Sequence, residues 1–296
     1  MAAIAEAPPA GRRPAGVLYR HPWAQLSLLL AGPVGWLVVA YLGSLAVLFV
    51  AAFWRLDTFS GLVVHDLSLE NFRTLAGEPV YRSIVLRTAG IAAAVTVTDA
   101  VLAFPIAFFM AKVARPRTRA LLVVAVLMPL WASYLVKVYA WRIILAEDGI
   151  LNWALSPLGL HGPGFGLVAT WIVFSYLWLP YMILPIYAGL ERIPESLLDA
   201  SGDLGGQPGT TFRRVVLPLA LPAVVAGSIF TFALTLGDYI APQIVSAGQQ
   251  FIGNVVYSNV GVANNLPLAA AFATVPVVIM IAYLLVARRL GAFEAL

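Results

Sequence analysis

The 296-residue sequence contains no cysteine, which excludes disulfides, thiol redox chemistry and thiolate metal sites. Charge is almost as scarce. Asp, Glu, Lys and Arg make up 11% of the chain, against roughly 25% in soluble domains. The three histidines, His21, His65 and His161, stand far apart and show no metal-ligand spacing. There is no Gly-x4-Gly-Lys-Ser/Thr phosphate loop, so ATP has no cradle in this chain and no cofactor is expected on it. Gly-x-Ser-x-Gly is missing too. No clustered basic face of the kind that grips nucleic acid is visible, and no internal repeat of the kind many secondary transporters carry.

What the chain has in abundance is apolar surface: 61% of residues are hydrophobic and the mean hydropathy is +0.90. A bilayer core needs about 20 apolar residues per helix. Runs of that length with little or no charge fall at 26–53, 88–111, 120–141, 166–190, 215–237 and 267–287. Barrel strands would alternate apolar with polar over about ten residues, whereas these runs are continuous and rich in Leu, Ala and Val. The expected class is an all-α membrane protein with about six spans.

The short connections set the orientation, because cytoplasmic loops collect Lys and Arg. One set carries Arg12, Arg13, Arg20, Lys112, Arg115, Arg117, Arg119, Arg192, Arg213, Arg214, Arg288 and Arg289. The other carries only Arg55, Arg73, Arg82, Arg87 and Arg142. Both termini and the 191–214 connection are therefore expected in the cytoplasm. The organisation expected is a cytoplasmic tail at 1–25, a first span at 26–53, a periplasmic segment at 54–87 with a short surface helix, a core domain at 88–290 and a tail at 291–296. The apolar run after the Arg-rich head exceeds the 7–15 residues of a signal h-region, so it is read as a retained span. Residues 239–266 carry no charge but many amides and hydroxyls, which suits a protein-lined or water-facing segment.

Between the fourth and fifth runs lies a polar, Gly/Pro-punctuated island: Asp199-Ala200-Ser201, three residues, Gly205, nine residues, Val215-Val216-Leu217-Pro218. Pro194 with Glu195 suits a helix start, Gly205 a left-handed stop, and Pro208 a second short start ending where Leu217-Pro218 redirects the chain. This spacing resembles the EAA loop of ABC importer permeases, whose pattern is Glu-Ala-Ala, three residues, Gly, nine residues, Ile, one residue, Leu-Pro. Asp199 stands for Glu and Ser201 for the second Ala. The resemblance implies a type I permease fold, with the two-helix knob docking on an ATP-binding subunit, two copies of which serve the complex, a second permease subunit alongside, and a periplasmic solute-binding protein outside. Asp199, Ala200, Ser201, Gly205, Val215, Leu217 and Pro218 would form the coupling loop.

Met128-Pro129-Leu130-Trp131, Ser133 to Trp141 and Gly149-Ile150-Leu151-Asn152 resemble the third helix and outward loop of spermidine/putrescine permeases. Ile252 to Val256 and Asn265 to Ala271 are similar to the same branch. Permeases for phosphonates or ferric iron share much of this pattern and stay open as alternatives. A secondary transporter would leave the 191–218 loop without a purpose, and a membrane-embedded enzyme has no chemical constellation here. Charges within spans mark pathways by default, and a polycation is drawn to carboxylates and aromatic faces. Asp99, Tyr134, Trp141 and Asp238 are the candidate path residues; Lys137 joins them by position, although its charge would repel a cation. Trp131, Tyr134, Lys137 and Trp141 would share one face of a third helix. Reporters fused after Leu296 or inserted near Gly206 are expected to read cytoplasm, and one near Gly162 the outside; a cytoplasmic Gly162 reporter would overturn the charge reading.

Overall fold

The computed structural model describes residues 22–57 and 59–289. The expected tails, 1–25 up to residue 21 and 291–296, lie outside the described residues. The chain divides after Ala51 into two units. The first holds helix α1, which runs from Pro22–Trp36 through a π segment, Leu37–Leu42, into Gly43–Ala51. Its apolar stretch, Gln25–Ala51, is 27 residues long and matches the first expected span.

The second unit opens with a two-stranded hairpin, β1 (Arg55–Leu56) against β2 (Val63–Val64). Asp57 holds its turn by accepting from Phe59 N–H at 3.0 Å and Ser60 Oγ at 2.8 Å. The Phe59 N–H, followed by the Ser60 hydroxyl, keeps this exposed carboxyl below the usual range. The short surface helix expected in this segment is α2 (Glu70–Gly77). Buried Asn71 ties it down, its amide donating to Ala52 O at 3.0 Å and Trp54 O at 2.7 Å.

Helix α3 spans Pro79–Val113, 35 residues, and so begins nine residues before the expected 88. Arg82 and Arg87 had excluded its first turns from an apolar window, yet a helix bonds through its backbone, and Pro79 at the first turn has no donor to waste. The third span departs further from expectation. Helix α4 (Pro116–Trp131) stops, Ala132 and Ser133 are extended, and α5 (Tyr134–Leu145) leaves at 92°. The single helix expected over 120–141 is an elbow. Its one shared face is broken with it: Trp131 sits on α4, 82% exposed, while Tyr134, Lys137 and Trp141 keep their register on α5.

After α6 (Ile150–Leu155) come α7 (Leu167–Glu191), α8 (Glu195–Asp203), α9 (Pro208–Gly237), α10 (Ile240–Val245), α11 (Ile252–Gly261) and α12 (Leu266–Arg289). Among the described residues, five helices are long and apolar enough to cross a membrane, and the elbow makes a sixth crossing if its two arms count as one. Helix α9 corrects another expectation. Pro218 does not redirect the chain; the helix continues through it, because a π turn at Phe212–Val216 lets Leu217 N–H bond to Phe212 O one register back. The wider turn accommodates the missing proline donor and its ring.

Helices α3, α7 and α9 pack mutually into the core, and α12 lies along α11 and α9. In lipid there is no hydrophobic drive between helices, so close approach of small residues carries the association. A side chain at Gly189 on α7 would collide with the Ala223 side chain on α9, and one at Gly227 would meet Met182 Sδ at 2.9 Å. Gly189→Val is therefore expected to pry α7 from α9 and lower the thermal midpoint in detergent by an amount equivalent to about 1–3 kcal/mol; an unchanged midpoint would show that this contact is not tight.

Candidate functional site

The helices place two polar regions at opposite ends of the core. At one end, α8 and the first turns of α9 form the knob. Pro194 is extended and α8 begins at Glu195; Leu204 ends it, and Gly205 turns left-handed with φ +76°. That conformation favours glycine because it has no Cβ. Gly206 N–H returns to Ser201 O at 2.8 Å, and the hydroxyls of Ser201 and Thr211 are 2.8 Å apart, stapling the two short arms together. Gln207 is extended and Pro208 starts the second arm. Glu195, Asp199 and Asp203 recur every four residues, so they form one exposed acidic stripe along α8.

The knob is bolted to the core rather than hung from it. Phe212 meets Phe104 and Phe108 of α3 edge-on, with centroids 5.5 and 6.2 Å away. Ile193 and Val216 are buried in the same cluster as Met110, Ile186 and Leu190. Lys112 Nζ donates to Ile193 O at 2.6 Å. Arg119 Nη1 reaches Glu191 Oε1 at 3.3 Å and Nη2 reaches Ala111 O at 3.0 Å, while Tyr187 donates to the same Glu191 oxygen at 3.0 Å. Of the coupling-loop residues named from sequence, Asp199, Ala200, Gly205, Leu217 and Pro218 are exposed, and Ser201 and Val215 are half-buried.

At the opposite end, α9 stops at Asp238. Asp238 Oδ1 accepts from Ile240 N–H at 2.8 Å and Ala241 N–H at 3.2 Å, capping α10. Its Oδ2 accepts the Tyr134 hydroxyl from α5. Tyr134 stacks on Trp178 of α7, centroids 6.0 Å apart, and Trp178 meets Tyr181. Tyr239 stacks on Tyr257 at 4.9 Å, and Asn254 donates to Tyr239 O at 2.8 Å. These tyrosines border a pocket of about 400 Å³ between Gly237, Gly253 and Pro276. The uncharged segment 239–266 forms two short helices and buries Ala241, Val245, Phe251, Ile252 and Val255, while residues 247–250 and 260–264 are exposed.

Tyr134 and Asp238 are brought together; the other three path candidates are separate. Trp141 packs against Tyr176 with centroids 5.4 Å apart. Lys137 Nζ donates to Pro129 O at 3.1 Å, supplying the carbonyl freed by the elbow, so its charge holds α4 to α5. Asp99, midway along α3, is fully buried beside Ser175 of α7, and neither carboxylate oxygen nor the serine hydroxyl has a hydrogen-bond partner among the described residues. Ser175, Trp178 and Lys112 were not singled out from sequence, because contacts between spans leave no spacing along the chain.

This is a bundle of membrane-length helices with a two-helix knob at one end. Residues 92–292 match the binding-protein-dependent transport system inner membrane component family. The chain belongs to that family and is a permease subunit of an ABC importer, a multi-pass protein of the inner membrane. It is 47% identical, over 95% of its length and 94% of the relative's, to the inner membrane ABC transporter permease protein YdcU of Escherichia coli K12. It is 31% identical, over 72% of its length and 75% of the relative's, to the spermidine/putrescine transport system permease protein PotB of Haemophilus influenzae. A subunit of a bacterial alginate ABC transporter, in complex with an alginate pentasaccharide-bound periplasmic protein, superposes with a TM-score of 0.72 over 96% of this chain and 99% of its own, at 15% identity. That likeness shows the fold alone.

A buried carboxyl without a partner is costly, and within a span it is retained for function by default. Asp99→Leu is expected to raise the thermal midpoint by the equivalent of about 1–3 kcal/mol while lowering uptake. A lowered midpoint would show Asp99 to be a structural contact.

Proposed function

We propose that this permease carries polyamines into the cell, driven by two copies of an ATP-binding subunit, one of them seated on the 191–218 knob, beside a second permease subunit and under a periplasmic solute-binding protein. The observation that supports the mechanism is the continuity of α9. From Pro208 at the knob to Gly237 beside Asp238 it is 30 residues of unbroken helix, or about 45 Å at 1.5 Å per residue. Force applied to the knob travels along one rigid element to the other end of the core. The acidic stripe of α8 supplies the charge for a basic groove on the ATPase, and the Lys112, Phe212 and Ile193 attachments keep the knob from swivelling freely.

The mechanism follows from these parts. ATP-driven closure draws the knobs of the two permeases together, α9 rocks with α8, and the end carrying Asp238 opens beneath the loaded binding protein. Hydrolysis lets the knobs separate and returns the inward state. Lys and Arg crowd the knob end, which accords with a cytoplasmic knob under the positive-inside rule.

The choice of cargo is supported by the relatives named for spermidine and putrescine and by the chemistry around Asp238. There a carboxylate lies among Tyr134, Trp178, Tyr181 and Tyr239, a setting that attracts an alkylammonium by Coulomb and cation–π terms. Engagement of Lys137 with Pro129 O keeps the nearby ammonium occupied.

Gly205→Val puts a β-branched residue where φ is positive, and Asp199→Lys reverses the charge of the stripe. Both are expected to leave the protein inserted in the membrane while the ATPase subunit is lost on purification, or hydrolysis runs without uptake of labelled putrescine or spermidine. Parental transport by both variants would remove the docking role from the knob. Uptake of a neutral or anionic solute in place of the amines would remove the polyamine assignment.

A further inference from the structure

Asp238 is a carboxylate with two separate duties. Oδ1 is committed to the N-terminus of α10 through Ile240 and Ala241 N–H, a local contact that travels with the chain. Among the described residues, Oδ2 is bound by the hydroxyl of Tyr134, which comes from the elbow helix α5, 104 residues away in sequence. Tyr134 is positioned for this by its stack on Trp178 and by the Lys137–Pro129 contact that sets the elbow. Asp238 itself is only half-buried, and Gly237 beside it is exposed. The joint is close at Gly253, where a side chain would meet Asp238 O and Tyr239 Cβ at 3.0 Å. Among the described residues, the Tyr134 hydroxyl is the side-chain donor that ties α5 to the end of α9 at this joint.

We infer that Tyr134 is a latch that determines cargo specificity: its hydroxyl occupies the Asp238 oxygen that a cargo ammonium takes, and exchange of one for the other releases the end of α9. A neutral solute brings at best a donor comparable to the hydroxyl it would replace and so gains nothing by the exchange, and an anion is repelled by the carboxylate. An ammonium forms the stronger, charge-assisted hydrogen bond. The ligand in this proposal rests on the cation-import reading; the latch itself rests on the joint.

The test uses the complete transporter in proteoliposomes, with Tyr134→Phe, Asp238→Asn and the double variant, and reads ATP hydrolysis first without cargo or binding protein and then with the binding protein as putrescine is raised. Tyr134→Phe keeps the ring on Trp178 and removes only the donor. Losing one hydrogen bond to a charged acceptor is expected to raise cargo-free hydrolysis on the order of tenfold and to lower the putrescine concentration for half-stimulation by a similar factor. Asp238→Asn abolishes stimulation, and the double variant behaves as Asp238→Asn alone. Co-purification of the ATPase subunit checks assembly; should Asp238→Asn fail to assemble, cargo-free hydrolysis by Tyr134→Phe decides the matter. Parental behaviour of an assembled Tyr134→Phe transporter, or effects in the double variant that equal the sum of the singles, overturns the latch. Raised cargo-free hydrolysis in Tyr134→Phe with no amine stimulating any variant upholds the latch and sinks the cation reading.

Discussion

A backbone amide or carbonyl inside hydrocarbon has no water to bond, so every departure from regular helix must bring its own donor or acceptor. The functional features of this permease are such departures, and each is supplied in a different way. The elbow after Trp131 frees Pro129 O, and Lys137 donates to it. Pro218 removes a donor from α9, and the π turn before it shifts the register so that Leu217 bonds to Phe212 O. The stop after Gly237 exposes the amides of Ile240 and Ala241, and Asp238 accepts both. Lys137 and Asp238, charged residues in an apolar sequence, thus complete the backbone where it departs from helix.

These repairs divide the molecule into stiff and yielding parts. Continuous helix α9 and its close contacts with α7 at Gly189 and Gly227 form the stiff part, since packed helices slide or rotate as bodies rather than bend. At the knob, Phe212, Ile193 and Lys112 anchor it to α3 and α7. Alongside that packing, single polar side-chain bonds also join elements: Tyr134 to Asp238 at one end, Arg119 to Glu191 at the other. An importer that alternates between two states requires this division. Rigid elements carry the motion, and a few polar contacts of modest strength decide which state is populated.

The two ends of α9 also differ in their surroundings. The knob carries an exposed, repeated acidic stripe, where water screens each charge. Asp238 is half-buried among aromatic side chains, a drier setting in which a single carboxylate weighs more.

By itself, the sequence determined the class, the approximate spans and the knob. Continuous apolar runs have few alternatives in water or lipid, and the Gly205 turn is local chemistry that survives in any context. The expected helix over 120–141 failed because a run apolar on every side has no period to reveal a break, and the donor that stabilises the break lies on the next helix. The continuity of α9 through Pro218 failed for a similar reason: proline signals a stop, and only the π register shows how the stop is avoided. Tyr134 and Asp238 were legible as separate candidates from residue type and depth. Only the tertiary structure decided that they meet, that Lys137 serves the elbow, and that Asp99 faces Ser175, because contacts between spans depend on how helices rotate and pack, and that is settled by close approach of small residues rather than by order along the chain.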